Sequence, residues 1–346
     1  MESFSAASPF ADRQLVWLGL GIAAFFIFSS LDLRVLRRTS VVTAIYGIAL
    51  FLLALLFVVG SVLSGAAGWF NLGAFTIQPA DPAKVALILV LAKYFSRRHV
   101  EIAHFRHVLV SGGYAFVVIA LLFFQPDFGS AVIVAGLWLG MVLVAGIPLR
   151  YVAGLVALGS VAIIILWNFG FADYQKVRII TFLHPLADIR GSGYNAFQST
   201  VAVGSGGLFG KGIGYGTQSR LQFLPQHETD FIFASFAEEW GFVGVLLLLG
   251  LFGTLVYRIV DAAKNGETNF ESLFALGVAV LIIVHASVHI GTNIGLLPVT
   301  GTTLPFMSYG GSHIVTGYAM LGMVNAMRRY GRSVRGAADR EVVGVG

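Results

Sequence analysis

Several residues in this chain have types and spacings that do chemistry. Asp230 closes the run Leu224-Pro-Gln-His-Glu-Thr-Asp230 and directly precedes the apolar Phe-Ile-Phe. A carboxylate in that place can act as general base on a hydroxyl nucleophile. It can equally cap a helix, accepting backbone N–H bonds and favouring the helix dipole. Asp81 and Lys84 follow Gln78 and Pro79 and stand three residues apart. That spacing puts them on one helix face, either as a local ion pair or with the lysine free to hold a phosphate as a point charge. Glu238 and Glu239 are adjacent and leave a helix on different faces. They suit a metal, a proton step or an interhelical hydrogen bond, with a structural role favoured. His285 and His289 stand at i,i+4, a spacing that can present two metal ligands. No carboxylate nearby in sequence completes a zinc pattern, so hydrogen bonding between helices is favoured.

Two further strings are turn-like. Gln125-Pro-Asp-Phe-Gly-Ser reads as a tight turn with Asp127 capping the next helix. Pro298-Val-Thr-Gly-Thr-Thr-Leu-Pro-Phe-Met-Ser-Tyr-Gly-Gly-Ser312 is Pro/Gly-rich, and its Ser308-to-Ser312 end offers N–H groups that suit an anion. Cysteine is absent. Thiol catalysis and Cys-ligated metals are therefore excluded, and cysteine usage does not identify the compartment.

The elements that must position these residues are membrane helices. The 346 residues are 57% hydrophobic and 11% charged, with mean hydropathy +0.84. A soluble domain carries about 25% charged residues. The 42 glycines suit helices packed closely in a bilayer. An all-α polytopic bundle is expected, built as a single domain. A crossing needs about 20 mainly apolar residues. Nine segments qualify or nearly do: 15–31, 43–63, 83–95, 108–124, 130–147, 152–169, 231–257, 272–290 and 312–327. The third is short.

Charge orients them. Arg34, Arg37, Arg38, Arg97, Arg98, Arg106, Arg150, Arg258 and Lys264 lie in alternate connections, and Arg328, Arg329, Arg332, Arg335 and Arg340 follow the last span. The opposite short connections carry no Lys or Arg. The positive-inside rule places the C-terminus in the cytoplasm. Nine spans then leave the N-terminus outside. The connection 170–230 lies on the outer side and is Gly-rich over 201–216. Backbone of that kind enters a membrane only where protein or water satisfies it. The tail 328–346 is expected to be basic, cytoplasmic and disordered.

These strings together resemble the SEDS family (shape, elongation, division and sporulation). The likeness rests on Gly214-Tyr-Gly-Thr-Gln-Ser-Arg-Leu-Gln-Phe-Leu-Pro-Gln-His-Glu-Thr-Asp230, the following Ala237-Glu-Glu, and Gly295-Leu-Leu-Pro-Val-Thr-Gly through Ser312. Gln125-Pro-Asp-Phe-Gly and Gly193-Tyr through Gln198-Ser add to it, so nearly the whole chain is covered. Gly-Thr-Gln-Ser before Phe-Leu-Pro is similar to the elongation branch more than the division branch. The family has ten helices with both termini inside. The resemblance therefore implies that this chain lacks the family's first helix, which accounts for the outward N-terminus. Three positions depart from the pattern. Glu228 stands where the family has His, Asp81 replaces a longer carboxylate, and Gly68 stands where Arg is common.

The resemblance implies a peptidoglycan glycosyltransferase of the bacterial plasma membrane. It polymerises lipid II at the outer face beside a class B penicillin-binding protein, the transpeptidase. It makes Asp230 the essential acidic residue, the base for the acceptor sugar's 4-hydroxyl; a carboxylate at a water–membrane boundary can have its pKa raised by desolvation toward a useful value. The pyrophosphate leaving group needs charge stabilisation. Lys84, Lys211 and Arg178 are the candidate cations, with Lys84 best matched to the family's motif. Asp81 orients Lys84 or touches the donor sugar. Gln198, Ser199 and Ser308 are candidate substrate contacts. A divalent cation, Mg2+ or Mn2+, can share the work, although no ligand set identifies one. Nucleic acid is not an expected partner. Two other readings stay open: a flippase for lipid-linked precursors, and a non-catalytic scaffold for the transpeptidase.

Overall fold

The computed structural model describes residues 9–63, 66–71, 76–97, 105–171, 173–183, 193–221 and 223–343. Twelve α-helices lie among them. They are α1 (Pro9–Ser30), α2 (Thr39–Val59), α3 (Ala80–Ser96), α4 (Phe105–Phe124), α5 (Phe128–Val144), α6 (Leu149–Phe169), α7 (Asp173–Leu183), α8 (Tyr194–Ser205), α9 (Thr217–Arg220), α10 (Ile232–Lys264), α11 (Asn269–Asn293) and α12 (Gly311–Val343). Each of the nine expected spans coincides with one of these helices.

Among the described residues, five helices are long and apolar enough to cross a membrane: α2, α4, α10, α11 and Asp12–Ser30 of α1. Leu15, Phe26, Phe51, Phe116, Leu247 and Leu251 stand exposed along them. Large apolar side chains exposed in such number are what a lipid-facing surface requires. The chain is a multi-pass membrane protein.

Two expectations change. The segment after α2 is β-structure: β1 (Ser61–Leu63), β2 (Ala66–Asn71) and β3 (Thr76–Ile77) form an antiparallel meander. Ser61 pairs with Trp69, and Phe70 with Ile77. Apolar composition had extended the second span to 63, but Gly60 leaves the helix with extended backbone. The basic tail expected to be disordered is helical to Val343, because α12 continues through it. All five of its arginines lie on that helix, and arginine is a good helix former on a run without proline.

The chain divides into two compact units. The first holds Met1–Ile147, Val256–Ile282 and Tyr309–Gly346. Its centre is α3, buried along nearly its whole length by Leu87, Ile88, Leu91, Ala92 and Phe95. A helix apolar all round is enclosed by protein, which explains how a segment this short holds its place. Against it lie Leu53 and Leu56 of α2, Leu137 and Met141 of α5, and Phe274 of α11, all fully buried. Helix α1 packs on α12, where a Cβ at Gly322 would meet the Phe25 carbonyl. Small residues at such crossings let backbones approach closely.

The second unit holds Pro148–Leu255 and Ile283–Ser308. It comprises α6 to α9, the first part of α10, the end of α11 and the loop after it. Phe231, Phe233, Ala234 and Ala237 of the α10 entry are buried with Ala202, Leu224, Ala286 and Leu304.

Candidate functional site

In the second unit, α10 breaks at Gly241, whose φ of 65° and ψ of −167° are open to glycine alone. The break frees four backbone groups, and the Gly-rich loop before α9 takes them. Lys211 N–H donates to the Glu238 carbonyl and Gly212 N–H to the Glu239 carbonyl, each at 3.0 Å. In return Phe242 N–H reaches the Gly207 carbonyl at 2.9 Å, and Val243 N–H the Leu208 carbonyl at 3.1 Å. A Cβ on Gly210 would strike the Glu239 carbonyl, so the loop approaches only because glycine stands there. Protein thus satisfies this irregular backbone.

The two adjacent glutamates do face different ways. Glu238 is fully buried under the loop. It accepts from Lys211 Nζ at 2.7 Å, Thr217 N at 2.9 Å, Thr217 Oγ1 at 3.0 Å and Gln218 N at 3.2 Å. One carboxylate therefore ties the loop's lysine to the start of α9. Glu239 turns to the other side, where a cavity of about 460 Å³ is lined by Gly214, Arg220, His227, Glu228, Ile232, Ser235, Phe236, Glu239 and Met307.

Asp230 stands two residues before α10, half-buried. Its main chain is clamped. Asn293, at the end of α11, donates to the Asp230 carbonyl at 3.0 Å and accepts from Ala234 N–H at 3.1 Å. Ser199 donates to the Asn293 carbonyl at 2.8 Å. Ser308 donates to the Thr229 carbonyl at 2.8 Å and accepts from Leu304 N–H at 2.7 Å. Gly301, at φ 69°, borders the carboxylate: Asp230 Oδ2 lies 3.5 Å from where its Cβ would be, an ordinary contact, so glycine is needed there for its backbone angle. Ser199 and Ser308, expected to contact substrate, are both buried, with their hydroxyls on main-chain groups. They position the aspartate segment. His289 bonds a loop carbonyl, that of Thr302, at 2.7 Å.

The first unit holds the other charged group. Asp81 and Lys84 are both buried in the first turns of α3, with Nζ 3.1 Å from Oδ1. The start of α12 completes the carboxylate's shell: Ser312 Oγ donates to Oδ2 at 3.0 Å, and His313 Nδ1 lies 3.4 Å from Oδ1. Gln78 links onward, its N–H on Ser312 Oγ at 3.3 Å and its amide on Asp127 Oδ2 at 3.0 Å. Asp127 also caps α5 through Ser130 N–H at 3.0 Å, as the turn motif predicts. With those partners Asp81 is placed to orient Lys84.

Of the remaining candidates, Gln198 is half-buried on α8. Arg178 lies on α7, with its side chain outside the described residues. Lys211 is held by Glu238. Sequence reasoning missed Asn293 and His313. The signals available were polar side chains at helix ends beside the two Gly/Pro-rich strings. Among the described residues no three His, Asp or Glu side chains gather as a metal site.

A helical membrane bundle that carries a clamped aspartate and a buried lysine–carboxylate pair has the makings of a membrane-embedded enzyme. The comparisons agree. The sequence matches the FtsW/RodA/SpoVE family, described as cell cycle proteins, over residues 1–333. It is 38% identical to stage V sporulation protein E of Bacillus subtilis, over 93% of this chain and 88% of that protein. It is 36% identical to the peptidoglycan glycosyltransferase MrdB of Escherichia coli, over 92% of this chain and 85% of that protein. A solved structure on the coordination of polymerization and crosslinking by a peptidoglycan synthase complex superposes with a TM-score of 0.81 at 35% identity, covering 94% of this chain and 92% of that one. The chain belongs to the FtsW/RodA/SpoVE family and is a membrane glycosyltransferase.

Proposed function

We propose that this chain polymerises lipid II into peptidoglycan strands at the outer face of the plasma membrane, with Asp230 as general base. The observation that carries the reading is how Asp230 is held. Asn293 and Ser308 grip the main chain at and just before it, and Gly301 borders its carboxylate. A base gains from such fixing because misplacement by a fraction of an ångström is costly.

In this reading Asp230 takes the proton of the acceptor's 4-hydroxyl as that oxygen attacks the donor's anomeric carbon. The bond to the lipid pyrophosphate breaks in the same displacement and the configuration inverts. The leaving group departs as an anion and needs an opposing positive charge. The arginine-rich connections and the C-terminus face the cytoplasm. A class B penicillin-binding protein is the partner, a reading supported by the synthase complex that this fold matches. Elongation is the assigned process, on the Gly216-Thr-Gln-Ser string.

The test is a lipid II polymerisation assay on purified chain with its penicillin-binding partner, the partner's crosslinking blocked. Wild type makes glycan strands and Asp230→Ala makes none while keeping its thermal stability. Strands from Asp230→Ala at the wild-type rate would refute the assignment.

A further inference from the structure

A second charged cavity lies wholly within the first unit and takes no part in the chemistry above. It holds about 320 Å³ between α2, α3 and α4. Lys93, Arg97 and Arg106 line it, with hydroxyl groups of Thr39 and Thr43. The rest of its wall is Val42, Val90 and Val110 with Tyr94 and Tyr114.

Three features set this cavity apart from an ordinary solvated charge. Its cations come from two helices and converge on one space, so their repulsion is built in. Among the described residues no carboxylate forms an ion pair with any of the three. The cavity is bordered by the N-termini of α2 and α4 and the C-terminus of α3, so two of the three helix dipoles there add positive potential. Lys93 is partly engaged already, with the Arg37 carbonyl and the face of Phe270. That leaves Arg97 and Arg106, both exposed, as the principal charges offered.

The position selects among anions. The cavity sits at the arginine-rich boundary of the bundle, and exposed Phe105 and Leu109 continue from it along α4. An occupant with a phosphate head and apolar tails fits both parts. We propose that this cavity binds the phosphate headgroup of an anionic glycerophospholipid, whose acyl chains run along the exposed face of α4. Basic pockets between membrane helices at a charged boundary are known to hold such heads. Arg97 and Arg106 pair with the phosphate oxygens, and the threonine hydroxyls donate to those left over.

The experiment titrates delipidated full-length chain in neutral detergent with phosphatidylglycerol, with phosphatidylcholine of the same acyl chains, and with inorganic phosphate, read by native mass spectrometry. Phosphatidylglycerol should bind in preference to phosphatidylcholine. Arg97→Gln and Arg106→Gln should each weaken it about fivefold, and the double variant about 25-fold. Arg34→Gln/Arg258→Gln, which removes two arginines from the same boundary outside the cavity, should leave it unchanged. Thermal unfolding of every variant confirms that it is folded. Equal weakening by the control pair would show diffuse attraction and overturn the site. So would equal binding of the two lipids. Inorganic phosphate binding that depends on Arg97 and Arg106 while phosphatidylglycerol binding does not would overturn the lipid assignment.

Discussion

Removing either partner of the Lys211–Glu238 pair tests whether one buried carboxylate holds the Gly-rich loop in the break of α10. Glu238 is fully buried, whereas the Lys211 side chain keeps 29% of its exposure. The two losses are therefore unequal. Lys211→Met removes one charge-assisted bond, worth about 1.5–3 kcal/mol. Thr217 N–H, Thr217 Oγ1 and Gln218 N–H still face the carboxylate, so it does not become an isolated buried charge. Glu238→Ala leaves those donors without their acceptor and opens a cavity, and costs about 3–5 kcal/mol. The ammonium it abandons turns to water at little cost. The double variant should fall short of the sum of the singles by about 1–3 kcal/mol, because both lose the same bond. Thermal unfolding of the full chain in detergent gives the order. Trypsin cleavage after Arg220, which accelerates in Glu238→Ala, localises the change to the loop and α9. Additivity within about 0.5 kcal/mol would refute the pairing, as would a Glu238→Ala protein with wild-type cleavage.

Two other outcomes follow from the same geometry. Asn293→Ala frees the Asp230 carbonyl and the Ala234 N–H together, so kcat should fall by tenfold or more with KM little changed; a rise in KM alone would assign Asn293 to substrate binding instead. Arg37 hydrogen-bonds Glu267 and holds its carboxyl below the usual glutamate range. A depressed folded pKa means the stabilisation is complete above that range and is lost as pH falls through the folded value. Wild type and Glu267→Gln should therefore differ in melting temperature at pH 7 and converge only once pH has fallen below the usual glutamate range; a constant gap would contradict the linkage.

The local features were legible because they depend on short-range spacing. Nine apolar stretches became helices because a bilayer crossing demands length and hydrophobicity, which composition states directly. Asp127 caps α5 and Asp81 meets Lys84 because a cap and an i,i+3 pair are settled within four residues. The divergence of Glu238 and Glu239 follows from helix geometry alone.

What the tertiary structure decided lies in contacts between distant segments. Ser312 reaches Asp81 across 231 positions, and Asn293 grips Asp230 across 63. Periodicity cannot announce such bonds, since a serine or asparagine at a helix end looks the same with or without a partner. The break in α10 was hidden for the same reason. Gly241 permits the left-handed turn, but the turn persists only because backbone at 207–212 supplies the hydrogen bonds it breaks. Sequence by itself determined the membrane helices and the residue types that could do chemistry. Folding decided which of those groups are enclosed and which main-chain atoms hold them, because a buried polar group must find its partner wherever in the chain one is available.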